Sequence, residues 1–299
     1  MLYLYSENFF LMGKLKKGLK YLLGVRSRGP EAVFKSLTKG LTEAGVDFEV
    51  NKTIKNQIET ACVISGVKTL SWAIEQKRLG KINHIVAGPN LVISPDDSGG
   101  ILKDSLIDAI VVPSQWVLEH YAKVEPSILS KIKIWTAGVG MPIKAEVSKD
   151  LDFLVYNKIG RVGLFKNICE KLNKKGFSYK VLEYGKFTQN EYFNLLDKAK
   201  YEIYLSASES QGLAMFEAWA RGVPTFIWEN GQFSKDGVKI TGKISAPYLT
   251  DQCGLSFLSE KEFESKLQEF LEKSYMPREY IEENYTDKIS ALKYFKIMN

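Results

Sequence analysis

The sequence has little of the chemistry that builds metal or redox centres. Its 299 residues include only three cysteines, Cys62, Cys169 and Cys253, and two histidines, His84 and His120, all widely separated. No Cys-x-x-Cys pair is present, which excludes the usual zinc ribbon and dithiol redox motifs. We therefore expect no metal and no bound cofactor. Scattered cysteines favour a reducing compartment, and we expect a cytoplasmic protein.

The sequence also lacks a long apolar run. Residues 1–5 are apolar but too few for the core of a signal peptide, and no run approaches the roughly 18 residues of a spanning helix. Six basic residues crowd one short region near the N-terminus: Lys14, Lys16, Lys17, Lys20, Arg26 and Arg28. A solvated face explains such a cluster; contact with an anionic membrane surface or a phosphorylated acceptor is the alternative.

The net charge is mildly positive. The chain has 41 Lys and Arg against 35 Asp and Glu, a balance of +6. Such a balance favours an anionic ligand without indicating nucleic acid.

Short apolar runs alternate with longer segments of helical spacing along the whole chain. This alternation predicts an α/β protein with parallel sheets, and the length predicts two cores of about 150 residues each. The predicted strands are residues 2–5, 48–51, 61–65, 83–87, 109–113, 132–135, 153–156, 179–182, 201–205 and 225–228. The predicted helices are residues 31–44, 68–78, 115–122, 161–174, 189–198, 212–221 and 260–273.

A glycine-rich segment, residues 137–142, is followed by the charged residues 144–150. This pattern predicts a hinge between an N-terminal domain, residues 1–145, and a second Rossmann-like domain, residues 146–276. The tail, residues 277–299, has helical spacing and apolar surface. It either returns to brace the two domains or closes the second domain.

One strand-helix-strand unit, residues 201–224, carries most of the functional information. A buried strand ends in small polar residues, Gly212 opens a helix, and Gly222 and Pro224 stop it. The amides at Gln211, Gly212 and Leu213 would then form a helix N-terminus at the carboxyl edge of a parallel sheet. Such an edge binds anions, and a diphosphate is the natural ligand.

Two glutamates bracket the start of this helix. Glu209 and Glu217 are at most about 12 Å apart at the helical rise of 1.5 Å per residue, a span comparable to that from hexose to ribose in an extended nucleotide-sugar. One donor molecule can therefore contact both, with Glu209 at the sugar and Glu217 at the ribose hydroxyls. The alternative for Glu217 is a surface pair with Arg221 at i+4.

The segment resembles the donor-binding signature of the retaining GT-B glycosyltransferases of the family-four type. In that signature two glutamates separated by seven residues precede a small-residue helix and a Gly-Val-Pro turn. The matching residues are Glu209, Gly212, Glu217, Ala218, Ala220, Gly222, Val223 and Pro224. The resemblance implies a GT-B fold, with two Rossmann-like domains facing across a cleft. It also implies transfer of a hexose from a UDP- or GDP-sugar to a hydroxyl acceptor, with retention of configuration. We expect this transfer to be metal-independent, because the sequence shows no cluster of histidines and cysteines that would bind a metal.

Further donor contacts follow from the resemblance. Family members supply a lysine and an arginine for the donor phosphates after the first strand of the second domain, and Lys158 and Arg161 match that place in a different order. Gly185 and Phe187 lie where the family contacts the base, although core packing also explains Phe187. Gly29 resembles the family's glycine loop facing the donor, or it is an ordinary helix cap.

Candidate acceptor contacts lie in the first domain. His84 is the counterpart of a histidine that relatives place near the reacting carbon, or a core or rim histidine. Asp96 and Asp97 bind acceptor hydroxyls or simply form a turn.

In this interpretation Glu209 orients and stabilises the sugar, while Lys158, Arg161 and the helix amides stabilise the leaving diphosphate. Two rivals remain: a sugar-nucleotide epimerase or phosphorylase with the same fold, and a non-catalytic glycan- or nucleotide-binding module.

Overall fold

Two parallel β-sheets, one in each half of the chain, form the framework of the protein. The computed structural model describes residues 1–11, 29–143, 148–159 and 162–298. The strands of the first half are β1 (Leu2–Tyr5), β2 (Phe48–Val50), β3 (Ile58–Ser65), β4 (Ile82–Asn90), β5 (Ala109–Val112) and β6 (Ile132–Ile134). They form one sheet in the order β2-β1-β3-β4-β5-β6, and every pair in it is parallel.

Helices cross between these strands, as parallel pairing requires. They are α1 (Gly29–Glu43), α2 (Val67–Arg78) and α3 (Gln115–Val124). Short helical turns complete this half at Glu7–Leu11, Asp97–Gly100, Ile101–Lys103 and Pro126–Lys131.

The second half repeats the arrangement with five strands. These are β7 (Leu151–Asn157), β8 (Tyr179–Glu183), β9 (Ala199–Leu205), β10 (Thr225–Trp228) and β13 (Gly254–Phe257), in the order β13-β10-β9-β7-β8. The crossing helices are α4 (Val162–Lys174), α5 (Gln189–Lys198), α6 (Leu213–Ala220) and α7 (Glu260–Glu272). A separate antiparallel hairpin, β11 (Gln232–Lys235) and β12 (Val238–Thr241), is inserted between β10 and β13.

Both sheets are covered by helices on their two faces, so the central strands β3 and β9 bury most of their residues, and most of the buried ones are apolar. In β3, Ala61 and Val63 pack in one core cluster while Cys62 and Ile64 pack in another. In β9, Ile203 belongs to the cluster beneath α4 and α7, and Tyr204 to the cluster beneath α5 and α6. The two-residue period of the strand thus decides which side chains reach the α6 face.

The predicted α/β fold is confirmed, and the strands and helices read from the sequence are present with small shifts in their ends. The hairpin and β13 were not predicted. The hairpin strands are short and largely polar, so the sequence shows no clear alternation of apolar and polar residues that would predict them. The sequence did contain one signal for the hairpin, the pair Asp236-Gly237, because Asp-Gly favours a two-residue hairpin turn. Both residues have the positive φ of that turn, 53° and 73°.

The connection between the two halves is held in place by the tail. The Val139 amide donates to the Tyr285 carbonyl at 3.0 Å, and the Asp287 amide donates to the Val139 carbonyl at 3.2 Å. Gly138 lies so close to this strand-like bridge that a Cβ on it would sit 2.4 Å from the Thr286 carbonyl oxygen. Gly138, in the segment predicted as a hinge, therefore permits close backbone packing against the tail.

The tail forms two helices, α8 (Pro277–Asn284) and α9 (Asp287–Ile297). The Thr286 hydroxyl accepts from the Ile289 amide at 3.2 Å and caps α9, which separates it from α8. Helix α8 packs on α6 of the second half, whereas α9 packs on α1 of the first. The tail thus contacts both halves of the chain.

Within these described ranges no helix is long and apolar enough to span a membrane. The predicted basic cluster, residues 14–28, lies outside the described residues.

Candidate functional site

The loop after β9 lies at the centre of the second sheet, where a parallel sheet offers its ligand-binding edge. Strand β9 pairs with β10 on one side and β7 on the other, and residues 206–212 leave its carboxyl end. Gly212 begins α6 with φ of 90°, a conformation that side-chain-bearing residues rarely adopt. The first helical hydrogen bond runs from the Phe216 amide to the Gly212 carbonyl at 3.2 Å. The amides of the first turn therefore precede the helical ladder and point toward the loop.

Glu209 lies in this loop beside a cation from a neighbouring strand. Its Oε1 accepts from the Lys158 ammonium at 2.8 Å and from the Tyr204 hydroxyl at 2.9 Å, and the glutamate side chain is 11% exposed. Lys158 follows β7, and its ammonium also lies 4.8 Å from the centre of the Tyr184 ring. The structure therefore brings together Glu209 and Lys158, which are 51 residues apart in the chain.

Tyr204 is a hydrogen-bond donor to Glu209 at every ordinary pH. Burial raises the pKa of its hydroxyl well above the usual value, and the neighbouring Glu209 raises it further. Its ring stacks on Tyr156 with centroids 4.7 Å apart and the planes 7° from parallel. The stack holds the Tyr204 hydroxyl in place beneath the glutamate.

A buried carboxyl group lies under the start of α6. The Tyr192 hydroxyl is 2.9 Å from Glu202 Oε1 and 2.8 Å from the Ala214 carbonyl oxygen. The Tyr192 hydroxyl donates toward both acceptors, the Glu202 carboxyl oxygen and the Ala214 carbonyl oxygen. Burial raises the pKa of Glu202. Sequence reasoning did not find this pair.

Glu217 lies one turn into α6, near the same buried pair. Burial is the main cause that raises the pKa of Tyr192 and of Glu202, and the charge of Glu217 raises both further. Its predicted alternative partner, Arg221, lies 3.7 Å from the Phe193 ring centre and 3.3 Å from Asp197. An Arg221 Nη1–H also donates to the Glu217 carbonyl at 3.3 Å. Helix α5 therefore positions the guanidinium of Arg221. A ribose contact for Glu217 stays a prediction.

The first half of the chain closes against this loop. The Trp116 indole at the start of α3 donates to the Glu209 carbonyl at 2.9 Å, and the Tyr248 hydroxyl donates to the Pro113 carbonyl at 2.6 Å. The carboxyl edges of the two sheets thus face one another across the candidate site. Leu213 packs against core clusters of both halves.

Gln211 takes part in the same junction. Its side-chain amide donates to the Ala137 carbonyl at 2.7 Å and accepts from the Ala137 amide at 3.1 Å, and the residue is 5% exposed. The side chain therefore joins the loop to the connecting segment between the halves. The contact with the sugar-nucleotide donor that was predicted for Gln211 would have to come from its backbone amide.

The β11–β12 hairpin also bridges the halves. Phe233 packs on the Trp116 ring at a centroid distance of 4.8 Å, and Lys235 pairs with Asp97 at 2.8 Å. Asp97 further accepts from the Ile93 and Ser94 amides at 3.1 and 2.9 Å.

Both predicted acceptor aspartates have protein partners. Asp97 forms the turn that was the alternative in the sequence and adds an ion pair across the halves. Asp96 lies 2.5 Å from the Lys103 ammonium. Their role toward an acceptor stays a prediction.

The placement of His84 argues against the acceptor contact predicted for it. The histidine lies near the amino end of β4, beside Thr60 of β3, and its nitrogens are 3.4 Å from Glu59 and 3.7 Å from Asp108. The strand predicted over residues 83–87 extends to Asn90 as β4. Six residues of strand, about 20 Å, therefore separate His84 from the carboxyl edge.

Four other contacts with the sugar-nucleotide donor were predicted, at Gly29, Gly185, Phe187 and Arg161. Gly29 is the exposed first residue of α1, with no described atom within 4 Å of a Cβ built on it. Gly185 has φ of 85° in the turn after β8. Phe187 is core, packed 5.7 Å from the Tyr156 ring. Arg161 lies outside the described residues.

An Asp-x-Asp triplet, Asp150-Leu151-Asp152, a pattern that can bind a metal ion, lies at the amino end of β7. There Asp152 accepts from the Ser178 amide at 2.9 Å and pairs with Lys200 at 2.8 Å. The triplet is thus at the edge of the sheet opposite Glu209. Metal independence stays a prediction.

His120 is the buried histidine of the interface between the halves. It is 0% exposed beneath the hairpin, with its ring 5.3 Å from the Phe233 ring, and neither nitrogen contacts a described hydrogen-bond partner. Burial lowers its pKa; the nearby Asp236 and Asp97 raise the pKa and Lys235 lowers it, each by less than burial does.

Acidification is expected to destabilise the protein partly through His120. The unfolded chain binds a proton near the ordinary histidine pKa of about 6.5, whereas the folded chain binds it only at lower pH. The free energy of unfolding therefore falls as pH drops below that value. His120→Leu removes this component, so urea unfolding should show the two proteins within about 1 kcal/mol at pH 7.5 and the variant increasingly favoured toward pH 5.5. Parallel pH profiles would contradict the assignment.

No protein-family model matches the chain, and no curated protein matches it. Among solved structures, the apo form of the lipopolysaccharide outer core galactosyltransferase WaaB is similar over 100% of this chain and 99% of its own, with 12% identity and a TM-score of 0.63.

Two epimerase structures are also similar. The UDP-GlcNAc 2-epimerase from Methanocaldococcus jannaschii covers 100% of this chain and 99% of its own, with 12% identity and a TM-score of 0.55. The putative UDP-N-acetylglucosamine 2-epimerase from Listeria monocytogenes covers 99% and 95%, with 11% identity and a TM-score of 0.52. These likenesses extend over both halves and confirm that the chain has the two-domain GT-B fold.

Proposed function

We propose that the protein is a metal-independent glycosyltransferase that moves a hexose from a nucleotide-diphosphate sugar to a hydroxyl acceptor with retention of configuration. The observation that carries the proposal is the pairing of Glu209 with Lys158 beside the first turn of α6, at the edge where the two sheets face one another. A carboxylate, an ammonium and a helix N-terminus together suit a ligand with an anionic middle and a hydroxyl-rich end.

The donor diphosphate would lie over the first-turn amides of α6 and compete with Glu209 for Lys158. Once the ammonium turns to the phosphates, the Glu209 carboxylate is available to accept from sugar hydroxyls, while Tyr204 still donates to it. The ammonium then stabilises the charge that develops on the leaving diphosphate, together with the helix amides and Arg161. Glu217, further along α6, would accept from the ribose.

Epimerisation of a sugar nucleotide is the second candidate, favoured by the two epimerase structures that match over both halves. The reactions differ in what they need. An epimerase converts UDP-GlcNAc without any acceptor, whereas a transferase releases nucleotide diphosphate and needs an acceptor or water. A module without catalysis would bind a sugar nucleotide and produce neither outcome.

Ligand binding tests the donor site directly. Thermal shift against UDP-, GDP- and ADP-sugars should show stabilisation by one nucleotide series. Glu217→Ala removes a charge-assisted contact worth about 2 kcal/mol and should weaken binding roughly 30-fold. Glu283→Ala, an exposed glutamate on α8, is the control and should bind like the parent. If Glu217→Ala responds to the nucleotide as the parent does, Glu217 has no role at the ribose.

The acceptor is proposed to be a glycan or another hydroxyl compound, and the basic N-terminal cluster is proposed to meet an anionic surface. Cytoplasmic location is part of the same proposal.

A further inference from the structure

A buried carboxylate gathers three backbone amides next to the candidate site. Glu229 follows β10 and is 8% exposed. Its Oε1 accepts from the amides of Gly231 at 2.9 Å, Ile244 at 3.1 Å and Ser245 at 2.9 Å. A buried carboxylate is stable when amide donors surround it, and in return it fixes the chain that supplies them. Here the fixed segments are the start of the hairpin and the loop that returns from it.

The returning loop lies directly against the Glu209 loop. The Ile244 carbonyl accepts from the Glu209 amide at 2.9 Å, while the Ile244 amide donates to Glu229. Ser245 adds a second connection, since its hydroxyl lies 3.4 Å from the Ala207 carbonyl. One residue, Ile244, therefore connects the Glu229 carboxylate to the Glu209 backbone.

This connection matters because Glu209 has little else to hold its backbone. Its amide is bound by Ile244 and its carbonyl by Trp116 of the first half. The direction of the Glu209 side chain toward Lys158 and Tyr204 depends on that peptide.

We propose that Glu229 is a positioning residue, which sets the Glu209 carboxylate against Lys158 through the Ile244 peptide. The effect of Glu229 on turnover rests on the proposed function. The hydrogen bonds that connect Glu229 to Glu209 are part of the fold, so their effect on the Glu209 backbone can be measured without a substrate.

The alternative is that Glu229 only stabilises the fold. Asp152 is the matched control, because its carboxylate also accepts from a backbone amide, that of Ser178 at 2.9 Å, but at the amino edge of the same sheet. A purely structural role predicts the same behaviour for both carboxylates. A positioning role predicts that only Glu229 affects Glu209.

Hydrogen exchange of the Glu209 amide provides the readout that does not need activity. In Glu229→Ala and Glu229→Asp, exchange in a peptide covering residues 206–210 should be at least about tenfold faster than in the parent. Glu229→Asp keeps the charge but withdraws the carboxylate by one methylene, about 1.5 Å, and serves if the alanine variant fails to fold. Glu229→Gln, whose amide oxygen still accepts, and Asp152→Ala should leave this exchange unchanged.

Turnover gives the second readout. A displacement near 1 Å at Glu209 should lower kcat about 100-fold in Glu229→Asp, with the donor KM changed less than about threefold, while Glu229→Gln and Asp152→Ala stay within about twofold of the parent. Unchanged exchange at residues 206–210 in Glu229→Asp, or an equal loss of kcat in Asp152→Ala, would overturn the proposal. A parent protein that shows no transfer refutes the proposed function and leaves the exchange result to decide the positioning role.

Discussion

Glu209→Gln is expected to lower the kcat for donor turnover by about 100- to 1,000-fold, the usual cost of removing one electrostatic stabiliser from a reacting centre. The substitution keeps the size of the side chain and its acceptor for the Tyr204 hydroxyl, 2.9 Å away in the parent. It removes the negative charge that holds Lys158 and that would face the developing charge on the sugar. The donor KM should change little, because the diphosphate and ribose contacts lie elsewhere.

Steady-state release of nucleotide diphosphate, measured with each sugar nucleotide that binds, checks this expectation. Glu183→Gln is the control: it removes a charge at the end of β8, on the same edge of the second sheet, from an exposed glutamate that pairs with Lys186. A kcat for Glu209→Gln within threefold of the parent would place the reaction elsewhere.

Lys158→Met extends the test to the pair. If Lys158 and Glu209 act as one unit, the double variant should lose about as much kcat as the more damaging single variant, because groups that act together are not additive. Strict multiplication of the two losses would mean that the 2.8 Å contact does not serve the reaction.

The sequence predicted the fold class well because the parallel-sheet signal is local. A buried strand and a crossing helix each leave a pattern within about 15 residues. The centre of the candidate site could also be predicted from the sequence, since Glu209, Gly212 and α6 lie in one continuous segment. Lys158 was placed near the phosphates from a resemblance, and its contact with Glu209 follows from β7 and β9 being neighbours in the sheet.

The groups that support the site were not predictable in this way. Glu202, Tyr192 and Glu229 come from different segments, and each reads alone as an ordinary strand or helix residue. Their roles depend on which strands pair and which side chains share a face. For His84 the sequence left two roles open, an acceptor contact and a core or rim position, and the choice between them depends on the end of β4 at which the residue lies.

Gly40→Ala is expected to destabilise the protein by about 3 kcal/mol, although alanine is the better helix former by about 1 kcal/mol. Gly40 lies within α1, where α9 approaches most closely. A Cβ built on it would lie 2.0 Å from the Asp287 carbonyl oxygen and 2.7 Å from the Ala291 Cβ. Both are parts of the α9 backbone or its first side-chain atom, so the helix would have to move away.

The control variant, Gly163→Ala, is expected to change the stability of the protein in the opposite direction. Gly163, in the first turn of α4, has no described atom within 4 Å of an added Cβ, so Gly163→Ala should stabilise by about 0.5 kcal/mol through helix propensity and a less flexible unfolded chain. Denaturant midpoints should therefore move in opposite directions in the two variants. Because α9 also carries Asp287, whose carboxylate pairs with Lys39 at 2.8 Å, displacement of the helix costs that ion pair as well. A stabilised Gly40→Ala protein would mean that the tail does not pack against α1 in solution, and the bridge from the tail to the segment that connects the two halves would fail with it.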